Sequence, residues 1–172
     1  LIPYYLTAFA MSSALASVFA LVAEFRNELG FSSFEIGLII SSGYAASFVS
    51  SIVLAPLADR GRAPVLLRFG ILLGVAALII LGVGTELWQF ILGRSLFGLA
   101  LGASAPAIRR TIILSDTDNF GRNLGRIGTA EVAGFVVGPV VAIVFNLIGD
   151  FHTPFLAMAV VLICILPAVW RA

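Results

Sequence analysis

Six apolar stretches, each about as long as a bilayer is thick, follow one another along this chain, and short clusters of charged and turn residues separate them. A helix needs roughly 20 apolar residues to cross the hydrocarbon core. The stretches run from about Leu1 to Ala23, Ile36 to Ala58, Pro64 to Gly84, Leu87 to Ile108, Ile127 to Ile148, and Pro154 to Trp170. Inside lipid every backbone amide and carbonyl must be satisfied within the chain, so such stretches can only be helices. Among 172 residues only 11% are charged, against about 25% in a soluble domain. That leaves too little polar surface to clothe a water-soluble enzyme, and the opposite composition would be needed for disorder. The predicted fold is therefore an all-α, polytopic membrane bundle of six transmembrane helices.

The punctuation is informative in itself. Ser32 and Glu35 have the spacing of a capping box ahead of the second stretch, and Pro64 suits the first turn of the third. A longer polar connector is expected from Arg109 to Arg126, with Asp116 and Asp118 as turn and cap formers. All ten basic residues are arginine. Arg60, Arg62, Arg68, Arg109, Arg110, Arg122, Arg126 and Arg171 fall at one end of the spans, whereas Arg26, Glu24, Glu28, Glu35, Glu86 and Asp150 fall at the other. The positive-inside rule assigns the arginine-rich end, and with it both ends of this segment, to the cytoplasm of a cell (plasma or inner) membrane. A net charge of +1 offers no field for nucleic acid. Cys164, alone in an apolar run, reads as a small buried hydrophobe. Glu24 reads as a solvated residue closing the first span. The aromatic residues could line an apolar pocket or face lipid. No metal or nucleotide motif occurs, and no cofactor is expected.

Glycine pairs Gly70/Gly74, Gly98/Gly102 and Gly134/Gly138 each stand four apart, the small-xxx-small spacing that lets helices approach closely in lipid. Two of these pairs belong to longer patterns. Arg94 lies inside the fourth span, in Gly93-Arg94-Ser95-Leu96-Phe97-Gly98 and on to Gly102. An intramembrane arginine costs at least about 2.5–3.5 kcal/mol, so it either faces a partner or snorkels to an interface. The fifth span carries Gly125, Gly134 and Gly138-Pro139, and the connector between the second and third reads Ala55-Pro56-Leu57-Ala58-Asp59-Arg60-Gly61-Arg62.

Together these segments resemble the N-terminal half of a major facilitator superfamily transporter, closest to its drug/proton antiporter branch. The connector is similar to the family's Gly-x-Leu-Ala-Asp-Arg-x-Gly-Arg-Arg loop, with Ala55 for the leading glycine, Ala63 for a basic residue, and one residue fewer between Arg60 and Gly61. The fifth span is similar to Gly-x8-Gly-x3-Gly-Pro-x2-Gly-Gly, with Ala142 and Ile143 in place of the last two glycines. The resemblance implies a six-helix half made of two inverted three-helix repeats, filling residues 1–172. It implies a cytoplasmic gating loop at Asp59, Arg60, Gly61 and Arg62, proton coupling through Arg94, and an antiporter-type bend at Gly125, Gly134, Gly138 and Pro139. Glu131, one turn inside the fifth span, is either a salt-bridge partner of Arg62, Arg109 or Arg110, or a second proton-coupling group. The implied function is secondary transport of a small molecule by alternating access, as proton-coupled efflux driven by the proton gradient. An uptake permease working by proton symport, and a non-transporting sensor or assembly subunit, are the alternatives.

The expected partners are the small-molecule substrate, the bilayer, and a second six-helix half of the same chain following Ala172. The absence of an initiator methionine fits a segment of something longer. An intramembrane serine hydrolase built on Ser104 and His152 is excluded by depth. Ser104 would lie roughly 25 Å further along the helix axis than His152, at 1.5 Å per residue, while a nucleophile and its base must come within about 3 Å.

Overall fold

The computed structural model describes residues 1–171 and consists of seven α-helices. They are α1 (Ile2–Ala20), α2 (Val22–Asn27), α3 (Ser33–Leu57), α4 (Ala63–Val83), α5 (Leu87–Ser115), α6 (Phe120–Ile148) and α7 (Thr153–Arg171). The helical path from Ser33 to Val83 reverses at 58–62, where Arg60 adopts φ −82°, ψ 19° and Gly61 adopts φ +83°. The left-handed conformation at Gly61 is open to glycine without steric cost. The apolar path therefore crosses six times, with α2 as a short extension of the first crossing.

Local chemistry sets the boundaries. The Ser32 amide donates to Glu35 Oε2 at 2.7 Å and the Glu35 amide donates back to Ser32 Oγ, completing the capping box that opens α3. Pro64 sits in the first turn of α4 as expected. Two boundaries differ from the sequence expectation. The first span breaks at Leu21 (φ −100°, ψ 12°) rather than running straight to Ala23. The expected 109–126 connector shrinks to four residues, because α5 continues to Ser115 and α6 begins at Phe120. Helical hydrogen bonds satisfy the backbone whether the side chains are apolar or charged, so both helices extend past their apolar stretches. Asp116 makes the short connector possible: its carboxylate accepts from the Asn119 amide (3.2 Å), Asn119 Nδ2 (3.1 Å) and Asn123 Nδ2 (3.1 Å).

Two parallel helix pairs form the centre. α5 lies along α3, with Gly98 against the Gly43 carbonyl and Gly102 against Ser47 and Ser50. α6 lies along α1, with Gly134 against the Phe9 carbonyl and Gly138 against the Ser13 carbonyl. A methyl group at any of these glycines would overlap the facing backbone. Serines add hydrogen bonds across both seams: Ser50 Oγ donates to the Leu99 carbonyl at 2.9 Å and Ser13 Oγ to the Gly134 carbonyl at 3.0 Å. In crossing order the pairs are two-with-four and one-with-five. Exchanging the first three crossings with the last three turns one pair into the other, as inverted repeats require. α4 packs antiparallel to α5 through Gly70 on Ser104 and Ala100, and against α7 through Gly82 on Leu156.

At the arginine-poor end Phe25, Phe90 and Phe151 pack edge-on, with ring centroids 4.8–5.9 Å apart, and Phe31 and Phe155 adjoin them. Of the two placements open to the aromatics, these rings take neither; they plug the bundle. Cys164, by contrast, is exposed on α7 instead of buried. In lipid a small apolar thiol gains little by turning inward.

Replacing Gly98 or Gly138 by Val is expected to lower the stability of the full-length protein in detergent by about 1–3 kcal/mol, read by thermal unfolding. Gly37→Ala, inside α3 with nothing within 4 Å, is expected to raise it by about 0.4–1 kcal/mol. The hydrogen bonds from Asn119 and Asn123 hold the Asp116 carboxyl below the usual carboxylate range. Because the folded value lies below the unfolded one, Asp116 supports the connector above about pH 4 and loses that effect only as pH falls through its own lowered value. Radical footprinting of Phe120 and Leu124 should therefore stay constant from neutrality to about pH 4 and rise below it.

Candidate functional site

Arg94 stands about 10 Å along α5 from its start at the arginine-poor end, at 1.5 Å per residue. Its side chain turns inward, and only 1% of the residue is exposed. Nη1 donates to the Leu15 carbonyl of α1 at 3.4 Å. Gly43 of α3 is pressed against it so closely that a Cβ there would sit 3.3 Å from Nε. Nε and Nη2 make no hydrogen bond among the described residues, and no carboxylate there reaches ion-pair distance. The side chain does not snorkel: α1 and α3 close over it. A guanidinium remains protonated in any such surroundings, so a fixed positive charge lies between three helices.

The second cluster lies at the arginine-rich end. Asp59, in the turn between α3 and α4, faces Arg110 of α5 with Oδ1 3.7 Å from Nε. Arg60 and Arg62 are exposed, and neither forms an ion pair among the described residues. Cavities of about 310 and 280 Å³ flank the Asp59–Arg110 contact. The first is lined by Ala58, Gly61, Pro64, Thr111 and Leu114, the second by Ala55, Pro106, Arg109 and Ile113. Beside them Arg109 Nη2 donates to both Glu131 oxygens at 3.0 Å. Of the three arginines open to Glu131, its partner is Arg109.

These placements separate residues that the sequence had grouped. Glu131 and Arg94 do not pair: Arg109 holds the Glu131 carboxylate, which lines a small cavity with Ala8, Met11, Ser12, Leu101 and Ser104, whereas Arg94 meets the Leu15 carbonyl further along α1. Gly134 and Gly138 form the seam with α1, while nothing lies within 4 Å of Gly125. Pro139 sits inside α6, which continues through it to Ile148. Glu24 is not a solvated end residue: Asn146 of α6 donates to its Oε1 at 2.9 Å, and its Oε2 is buried without a partner among the described residues. The break at Leu21 turns α2 and carries Glu24 against α6.

Sequence reasoning missed Leu15 and Gly43 as neighbours of Arg94 and Arg110 as the partner of Asp59. Gly43, Ser47 and Ser50 do form a small-residue stripe on α3, a signal from which the α3–α5 seam could have been found. A backbone carbonyl such as that of Leu15 leaves no trace in sequence.

A family model described as Major Facilitator Superfamily matches residues 4–172. Similar relatives include Multidrug resistance protein MdtG of Escherichia fergusonii, 31% identical over 146 residues, which are 81% of this chain and 35% of that protein. The protein of the same name from Citrobacter koseri is 34% identical over 137 residues, 76% of this chain and 32% of the relative. That from Yersinia enterocolitica is 29% identical over 144 residues, 80% and 34% respectively. The chain thus spans about a third of the length of the curated relatives it matches.

Both surface ion pairs should contribute little to stability. A double-mutant cycle on Arg109→Gln and Glu131→Gln is expected to give a coupling of about 0.2–1 kcal/mol, as for other exposed pairs, in urea unfolding of the full-length protein.

Proposed function

This chain belongs to the major facilitator superfamily, and on that premise we propose that it forms one six-helix half of a secondary transporter that exports small molecules in exchange for protons. The observation that carries the proposal is Arg94: a fixed cation held inside the bundle with donors to spare and no carboxylate beside it. Such a charge is costly in a bilayer and is a functional candidate by default. It sets the electrostatic barrier that a cation or proton meets on its way across. It also stabilises any anionic group that a substrate or a second half brings beside it.

Around this centre the remaining groups take complementary roles. The Asp59–Arg110 contact, with Arg60, Gly61 and Arg62 in the same turn, forms a cytoplasmic latch that opens and closes between access states. Protonation of Glu131 releases Arg109, so proton binding at that end is coupled to the same helix that carries Arg94. Gly134 and Gly138 fix α6 against α1, Pro139 lies in the same stretch of helix, and the exposed face of α6 that carries Gly125 is left for a second six-helix half. Substrate binds at the midplane between the halves, as in transporters built from repeats. The arginine-rich end and both ends of this segment face the cytoplasm of the cell membrane. Relatives named for multidrug resistance support drug-like small molecules as the substrate class. The proton gradient supplies the energy, and no bound cofactor is required.

Flux of a panel of amphiphilic dyes in vesicles holding the full-length protein tests this reading. Gradient-driven efflux is expected from the wild type, and Arg94→Gln should reduce it at least about a hundredfold, a transition-state cost of about 2.7 kcal/mol, while the protein remains monodisperse. Unchanged coupled flux in Arg94→Gln overturns the role of Arg94. Gradient-driven uptake would assign symport instead, and no flux from the wild type would favour a sensor.

A further inference from the structure

The seam between α4 and α7 carries positive charge at the arginine-rich end and no negative charge. Neither Ala63–Val83 nor Thr153–Arg171 contains an aspartate or glutamate, yet Arg68 and Arg171 stand there. Arg68 lies about 8 Å along α4 from its start, at 1.5 Å per residue, a depth suited to the headgroup boundary. Its guanidinium carbon is 5.5 Å from the centroid of the Trp170 ring, and Nη2 donates to the Trp170 carbonyl at 3.4 Å. Among the described residues the buried Nε makes no hydrogen bond and no carboxylate reaches Arg68.

The surrounding surface points outward. Trp170 is 52% exposed, and Val65 and Phe69, which flank Arg68 in sequence, are 64% and 51% exposed. A guanidinium donates best to phosphate or carboxylate oxygens, and basic pockets between transmembrane helices suit anionic headgroups. We propose that this seam binds the phosphate of an anionic phospholipid. Arg68 is the phosphate ligand, Trp170 holds its guanidinium flat, and Arg171 adds a second charge. Two features select the lipid. The local charge has no acid to receive the ammonium or choline of a zwitterionic headgroup, and Arg68 already covers the Trp170 face that would stack on one. The exposed Val65, Phe69 and Leu72 offer acyl chains an apolar track that free phosphate would not use.

Trp170 is a built-in reporter. Full-length protein is placed in phosphatidylcholine bilayers containing brominated phosphatidylglycerol, or the reverse, and the Trp170 signal is taken as the difference from Trp170→Phe. Quenching should show phosphatidylglycerol preferred about fivefold or more, falling to about one in Arg68→Gln and to an intermediate value in Arg68→Lys, which keeps the charge but loses the fork. Quenching by brominated phosphatidylcholine that persists or rises in both variants verifies that Trp170 still faces lipid. No preference in the wild type, or an undiminished preference in both variants, overturns the proposal. Displacement of the lipid by inorganic phosphate would assign the seam to free phosphate and overturn it equally.

Discussion

Within a bilayer, apolar side chains gain little by leaving lipid for one another, so helices hold together only where their surfaces fit closely. In this chain that fit is concentrated in two seams, α5 along α3 and α6 along α1, where glycines meet the carbonyls of the facing helix. The remaining architecture depends on them. Ser13 and Ser50 can hydrogen-bond across because the backbones are already close. Arg94 is enclosed because α3, drawn in at Gly43, covers its guanidinium while α1 presents the Leu15 carbonyl to it. A wider seam would let that side chain reach lipid headgroups or water.

The charges are graded by depth. One cation is enclosed between helices about 10 Å inside the arginine-poor end, and the others lie toward the two ends. At the arginine-rich end α5 is joined to the α3–α4 turn through Asp59–Arg110 and to α6 through Arg109–Glu131. Both pairs are partly exposed, and such pairs are worth about 0–1 kcal/mol. At the other end interlocking phenylalanines from α2, α5, the α6–α7 connector and α7 bury their rings together. Edge-on aromatic pairs add about 0.5–1.5 kcal/mol each beyond burial. The bundle is thus held firmly at one end and lightly at the other, an asymmetry suited to opening at the arginine-rich side.

Much of this was legible from residue order. The six crossings, the segregation of arginines to one end, the Ser32–Glu35 cap, Pro64 at a helix start and the turn around Gly61 follow from hydropathy, charge and local backbone rules. So did the roles of Gly98/Gly102 and Gly134/Gly138 as packing surfaces. The misreadings share one origin. Cys164 was assigned to the interior, Glu24 to solvent, and the helix ends beyond Ile108 and before Ile127 to a loop. Each inference used polarity to decide position, which works where water is the alternative environment. In this fold the outside of the bundle is as apolar as the inside, and helices continue into the polar layer without penalty.

Residue order by itself determined how many times the chain crosses, which ends lie together and where it can reverse, because bilayer thickness and backbone hydrogen bonding act on each segment separately. Tertiary structure alone decided that α5 pairs with α3 and α6 with α1, that Arg94 is capped by a carbonyl instead of a carboxylate, and that Arg68 lies over Trp170. Those outcomes depend on the fit between surfaces far apart in sequence. Hydropathy assigns every face of such a helix nearly the same value, so only shape and the few polar atoms could choose between them.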